Sequence, residues 1–155
     1  MECSIVNLKR IVTDNSLLRF DAEYYHPSFL EAENKIKSKT HKELWEIITI
    51  LTDYHANGSY EMLKSNVKLL DKPNYALMIR TIDFERDDFE NDVKYISEEA
   101  YHFLKKTKIF GKEIIINKIG NAGKVYIVPP LKRKISLGMN QFMIRPTKEV
   151  FAGFL

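Results

Sequence analysis

Cysteine is almost absent from this chain: of 155 residues only Cys3 is one, so no disulfide can form within it. That suits a reducing cytoplasm, where we expect the protein to reside. No apolar run approaches the roughly 20 residues that a membrane-spanning helix needs. Met1-Glu2-Cys3-Ser4-Ile5 carries no basic segment leading into an apolar stretch, so no secretory signal is expected at this end. Internal repeats and low-complexity segments are lacking. So are a phosphate-binding loop of Walker type, a dinucleotide fingerprint, a serine-nucleophile elbow and an adenine-methyltransferase motif. His26, His41, His55 and His102 show no metal-ligand spacing, and Cys3 has no zinc partner. No cofactor and no metal are expected, and the chain does not read as an enzyme.

What is present is an ordinary globular composition, 45% hydrophobic and 29% charged, over a length that fits one domain with its own core. Net charge is only +3, but its distribution is uneven. Asp83, Glu85, Asp87, Asp88, Glu90, Asp92, Glu98 and Glu99 are opposed only by Arg86 and Lys94. Lys105, Lys106, Lys108, Lys112, Lys118, Lys124, Lys132, Arg133 and Lys134 follow, opposed only by Glu113. A basic stretch of this kind concentrates polyanions such as nucleic acid around it. Taken alone, the pattern fits a solvated lysine surface balanced by the acids at least as well.

Local signals predict α+β: a twisted, mainly antiparallel sheet with two or three packing helices and long polar loops. Ile5–Val12 reads as a short strand and Asp14-Asn15-Ser16 as a turn. Pro27 opens a helix over Ser28–Lys39, and a second helical piece is expected from Lys42 to Leu51. Tyr54-His55-Ala56-Asn57-Gly58-Ser59-Tyr60 is a polar, aromatic loop around a strong turn dipeptide. Glu61–Leu70 is ambiguous, and Asp71-Lys72-Pro73-Asn74 is a turn. Tyr75–Ile82 reads as a buried strand and Lys94–Ile96 as a short one; Ser97 caps a helix, and Gly111 ends that unit. Glu113–Ile119 and Lys124–Val128 form a hairpin about Gly120-Asn121-Ala122-Gly123, ended by Pro129-Pro130. Ile135–Leu137 and Gln141–Ile144 add two strands. Lys148–Leu155 starts like a helix but stops after two turns, so we expect the natural chain to continue. The single domain then has an N-terminal lead-in at 1–45, a core at 46–147 and the start of a truncated helix at 148–155.

Several segments carry a resemblance. They are Asn57-Gly58-Ser59-Tyr60; Tyr75-Ala76-Leu77-Met78-Ile79-Arg80-Thr81-Ile82-Asp83; and Val93-Lys94-Tyr95-Ile96-Ser97-Glu98-Glu99-Ala100-Tyr101. Phe110-Gly111-Lys112-Glu113-Ile114-Ile115-Ile116-Asn117-Lys118-Ile119-Gly120-Asn121-Ala122-Gly123-Lys124 and Leu137-Gly138-Met139-Asn140-Gln141-Phe142-Met143-Ile144-Arg145-Pro146 follow them. By their order and spacing, Asn57 to Pro146 resembles the target-recognition domains of type I restriction–modification specificity subunits. Arg19-Phe20-Asp21-Ala22-Glu23-Tyr24-Tyr25 is similar to the lead-in of such domains. The same domain type also ends fused restriction–methyltransferase chains. Complete specificity subunits carry two such domains joined by long helices. Here one domain stands without a long spacer, half of a bipartite reader or a fragment.

The resemblance implies sequence-specific binding of a duplex DNA half-site on behalf of an adenine methyltransferase and a restriction subunit. A second recognition half-domain or a homodimer would complete the site. Phosphate contacts would come from Lys118, Lys124, Lys132, Arg133 and Lys134, and from the turn Gly120, Asn121 and Gly123, whose N–H groups can approach a phosphate closely. Base contacts would come from Asn57, Ser59, Tyr60, Arg80, Asn140 and Gln141. Each has a plainer role. Asn57 can merely hold a turn, Arg80 can pair with Asp83, Asn140 can cap a strand end, and Gly120–Gly123 can be an ordinary hairpin turn. Two other readings remain: a Mg²⁺ nuclease using Asp87, Asp88, Glu90 and Asp92, and a non-catalytic protein-interaction module.

Overall fold

Residues 5–14 and 20–155 are described by the computed structural model. Cys3, Asn15 and Ser16 of the expected turn, and Arg19 of the lead-in lie outside these residues. The chain divides into two compact units, Met1–Glu43 and Leu44–Leu155. Among the described residues there are six α-helices and eight strands, and the fold is α+β. No described helix is long and apolar enough to cross a membrane.

The first unit holds helices α1 (Leu8–Asp14) and α2 (Pro27–Lys37). A strand was expected over Ile5–Val12, and most of it is helix. The Asn7 carboxamide accepts the Lys9 N–H at 2.8 Å, which starts the first turn and overrides the β-branched bias of Ile11 and Val12. α2 begins as its sequence predicts, with Pro27 at the first turn and the His26 imidazole facing the Ser28 N–H. Arg10 Nη2 meets Glu33 at 2.9 Å and ties the two helices together.

In the second unit the expected helix over Lys42–Leu51 shrinks to α3 (Leu44–Ile47), and the chain passes into β1 (Ile48–Asp53). Ile48-Thr49-Ile50 is β-branched, and its pairing across a sheet outweighs the helical spacing of the apolar residues. A single 3-10 turn, Tyr54–Asn57, leads to α4 (Tyr60–Asn66), capped by Ser59. β2 (Ala76–Ile79) follows. The strand expected to run on to Ile82 ends at Ile79, and the chain then turns into α5 (Thr81–Arg86). The reason is Asp83, which reaches back to the Arg80 N–H at 2.7 Å and is buried as part of the helix start.

β3 (Lys94–Ile96) and α6 (Glu98–Phe103), capped by Ser97, lie as expected. A 3-10 turn, Lys105–Thr107, then brings in a short β4 (Lys108–Ile109) that no local signal announced. β5 (Ile114–Asn117) and β6 (Val125–Ile127) form the expected antiparallel hairpin. β7 (Ile135–Leu137) and β8 (Gln141–Pro146) close the set. The expected C-terminal helix is only a 3-10 turn at Ala152–Phe154.

Two four-stranded sheets result. The first, ordered β1-β8-β5-β6, is antiparallel throughout; the second, ordered β3-β2-β7-β4, contains one parallel pair, β2 with β7. Leu77, Ile79, Ile109, Ile135 and Leu137 of the second sheet pack with Ile115 and Met143 of the first in one core. Ala76, Met78 and Ile96 point the other way, into a second core with Leu63 of α4 and Ala100 of α6. β2 is therefore buried on both faces, which explains its unbroken run Ala-Leu-Met-Ile. Each buried leucine or isoleucine here contributes about 1.5–3 kcal/mol relative to an exposed one.

Candidate nucleic-acid interface

Strand directions decide which loops meet. β8 runs against both β1 and β5, pairing Phe142 with Asp53 and Gln141 with Asn117. The start of β8 thus lies beside the ends of β1 and β5. β7 runs parallel to β2, pairing Leu137 with Ile79, so both strands end on that same side. Gly138 N donates to Ile79 O at 2.7 Å there; a Cβ on Gly138 would sit 2.5 Å from that oxygen, so this position requires glycine. Lys118 N donates to Asn140 O at 2.8 Å and joins the hairpin loop to the β7–β8 turn. One end of the two sheets therefore gathers residues 53–60, 80–83, 118–124 and 138–141.

All six base-contact candidates lie at this end, in different states. Asn57 is spent internally. Its Nδ2 donates to Tyr54 O and Thr107 Oγ1, both at 3.0 Å, and its Oδ1 accepts the Lys106 N–H at 3.0 Å. It braces two 3-10 turns and has little left for a base edge. Gln141 is fully buried, with Nε2 3.4 Å from Asn117 Oδ1. Its Oε1 and Asn117 Nδ2 find no partner among the described residues. Arg80 takes the plainer role foreseen for it: Nε and Nη2 hold the buried Asp83 carboxylate, the closer contact at 2.7 Å, and Nη2 also meets Asp92 O. Ser59 caps α4 through a 3.4 Å contact with Met62 N. Tyr60 is 67% exposed. Asn140 sits at φ 68°, a left-handed turn position that asparagine tolerates, and is exposed.

The phosphate-contact candidates divide. Lys118 is locked: its Nζ lies 2.8 Å from Asp53 Oδ2 and 5.0 Å from the Phe142 ring centroid, with its side chain largely covered. Burial works to raise the Asp53 carboxyl, but the Lys118 hydrogen bond and charge, with the Ala56 N–H, outweigh it and hold the group below the usual carboxylate range. Gly120 and Gly123 both adopt φ 82°, with open space where a Cβ would stand, so the turn is bare and projects outward. The Gly123 N–H is used by Asn117 O, and Asn121 Nδ2 donates to Glu85 of α5 at 3.2 Å. Lys124 is exposed, its Nζ 5.2 Å from the Tyr126 ring.

Lys132, Arg133 and Lys134 do not join them. They precede β7, whose first residue Ile135 pairs with Leu77 near the start of β2, and so lie toward the opposite end of the sheets. Lys134 rests there on Tyr75, hydrogen-bonded to its hydroxyl and 3.8 Å from its ring centroid. The single basic face expected from sequence is two separate groups, because strand β7 runs between them.

Two of the four acids proposed for a nuclease, Asp88 and Asp92, are engaged locally. The Asp88 carboxylate accepts from Asn91 N, Glu90 N and Asn91 Nδ2, bonds that hold it below its ordinary range. Asp92 pairs with Arg86 at 3.2 Å. Among the described residues no three His, Cys, Asp or Glu side chains are grouped as a metal would need.

Sequence reasoning missed a cleft beside these loops, of about 490 Å³, between α4, the start of α5 and the β7–β8 turn. Tyr60, Arg80 and Asn140 line it together with Tyr54, Lys64 and Met139. Burial pushes the Tyr54 phenol above its usual value. The signal was weak: α4 lay in a stretch with no clear pattern, and the cleft exists only once β2 and β7 are paired in parallel. The sequence matches no protein-family model and no curated protein.

Proposed function

We propose that the end of the sheets bearing residues 53–60, 80–83, 118–124 and 138–141 reads a short half-site in duplex DNA. In this reading the chain is a recognition module without chemistry of its own, and it directs a methyltransferase and a restriction subunit supplied by partners, as the resemblance implies. One observation carries it: loops far apart in sequence, and rich in amide, hydroxyl and cationic groups, converge on one end of a rigid pair of sheets. Lys124 and the bare Gly120–Gly123 turn supply backbone-phosphate contacts. Ser59, Tyr60 and Asn140 supply groups for base edges, and Asn57, Gln141, Arg80 and Lys118 hold the loops in place.

A single module of this kind buries only about 600–1,000 Å² against DNA, so its affinity alone is low. The test is selection from a randomised duplex library at low salt, with and without a methyltransferase partner. An enriched motif is expected, with log affinity falling by about 0.9 per phosphate contacted as log salt rises. No enrichment under either condition would sink base reading. Plasmid cleavage in Mg²⁺ that is lost in Asp88→Ala would overturn the non-catalytic assignment.

A further inference from the structure

We infer that the cleft between α4, α5 and the β7–β8 turn holds one unstacked nucleobase together with its phosphate. The inference deepens the DNA-reading proposal and rests on it for the source of that base. The cleft's volume of about 490 Å³ falls in the range of small-ligand sites. Its floor is apolar, formed by the buried Leu63 and Met78, and its lip carries the exposed Tyr60 ring and Met139. A flat aromatic ligand gains most from such a slot, because every base has a face to stack. Asn140 stands at the mouth with a side-chain amide that makes no hydrogen bond among the described residues. An asparagine amide matches the paired donor and acceptor of a base edge.

Charge sets the rest of the ligand. Lys64, Arg80 and His55 line the cleft, and no carboxylate does. Arg80 is fixed by its bonds to Asp83 and the Asp92 carbonyl, which use Nε and Nη2 and leave Nη1 unengaged among the described residues. Lys64 has no carboxylate partner among the described salt bridges. An apolar slot whose rim carries Lys64 and the Arg80 guanidinium, and no carboxylate, disfavours a cationic guest and favours a planar one that carries an anion. Extruding a base from a duplex costs a few kcal/mol, least where the base is already unpaired. An unpaired base is therefore the probe to use.

The experiment compares one duplex, fully paired, with the same duplex carrying a single bulged adenine, at one low salt concentration; deoxyadenosine monophosphate is titrated separately by NMR. Wild type should bind the bulged duplex about tenfold more tightly, within the range of a stacking contact. Tyr60→Ala should bring that ratio to about one, and Tyr60→Phe should keep it. Equal binding of both duplexes, with no shift of cleft resonances by the nucleotide, would overturn the inference and leave DNA reading standing. Failure of both duplexes to bind, with a methyltransferase partner present as well as without it, would overturn DNA reading, with the cleft then decided by the nucleotide alone: shifts at Tyr60 and Asn140 support a free-nucleotide site, and none refutes it. Saturation of the cleft by an apolar peptide but not by the nucleotide would refute it in favour of a protein partner.

Discussion

The two ends of the sheets differ in how far their polar side chains are closed off within the fold. At the end bearing Gly111 and Pro130, Glu113 is 2% exposed and wholly satisfied. It accepts from Phe110 N at 3.0 Å, Gly111 N at 2.7 Å and Arg145 Nε at 3.1 Å, and Arg145 Nη2 donates to Lys108 O at 2.7 Å. The guanidinium also lies 4.9 Å from the Phe110 ring. At the end bearing Gly120 and Gly138, buried amide atoms of Asn117 and Gln141 lack partners, and Tyr60, Asn140 and Lys124 face outward. A closed network is what a fold needs; exposed groups such as those of Tyr60, Asn140 and Lys124 are what a ligand can reach, whereas the Asn117 and Gln141 atoms are buried. Under the DNA-reading proposal the first end serves stability and the second is the recognition end.

The sharpest way to break the comparison is Glu113→Ala. It strands Arg145 in a partly covered position and orphans two loop N–H groups. Unfolding free energy from denaturant melts should fall by about 3–5 kcal/mol, the scale for breaking a buried ion pair. The base preference of the folded fraction should not move. A change in preference with little loss of stability would reverse the roles of the two ends.

Asn57→Ala should come next, because Asn57 stands at the recognition end yet behaves like a residue of the other. It makes three internal hydrogen bonds and bridges turns 49 and 50 residues apart in sequence. Its loss should cost about 1–3 kcal/mol, read from the same melts, with the selected DNA motif unchanged. An altered motif in a variant of near-native stability would restore Asn57 as a base reader.

These two residues also mark where sequence reading succeeds and where it stops. The hairpin at 114–127, the Ser97 cap and the strand at 135–137 were legible because each is decided by neighbours in sequence: β-branched runs, a capping serine, a glycine turn. The state of Asn57 was not, because its partners Lys106 and Thr107 lie in a turn that no local pattern predicts. Arg80 could be paired with Asp83 from spacing alone. The burial of Gln141, though, depends on Asn117 arriving across a sheet, and the separation of Lys132–Lys134 from Lys124 depends on the direction of β7. Loop identity was readable; which loops share an end required the topology.

A smaller effect tests that separation directly. Lys124→Ala and Lys134→Ala each remove one positive charge, and both sites are exposed. If only the end bearing the hairpin loop meets DNA, Lys124→Ala should reduce the slope of log affinity against log salt by about 0.9. Lys134→Ala should leave the slope within error. Equal losses would mean that the duplex spans both ends, as the sequence first suggested.

The smallest expected effect concerns pH, and it reports on how the recognition end is held together. Asp53 caps the 3-10 turn through Ala56 N at 3.0 Å and grips Lys118 at 2.8 Å. Its folded carboxyl titrates below the unfolded value. A depressed pKa means that the unfolded state binds the proton more readily, so the contribution to stability is complete above the ordinary carboxylate range. It is lost as pH falls through that range toward the folded value. Acid melts of wild type and Asp53→Asn should therefore differ at neutral pH and converge in acid. Because Lys118 is freed by the same protonation, a DNA-binding measurement should show no change down through the ordinary Asp range, and only below the lowered folded value of Asp53 should it show Lys118 released from Asp53. Parallel curves for the two proteins at all pH values would mean that the Asp53–Lys118 pair does not brace this end, and that the hairpin is positioned by the Lys118–Asn140 backbone bond alone.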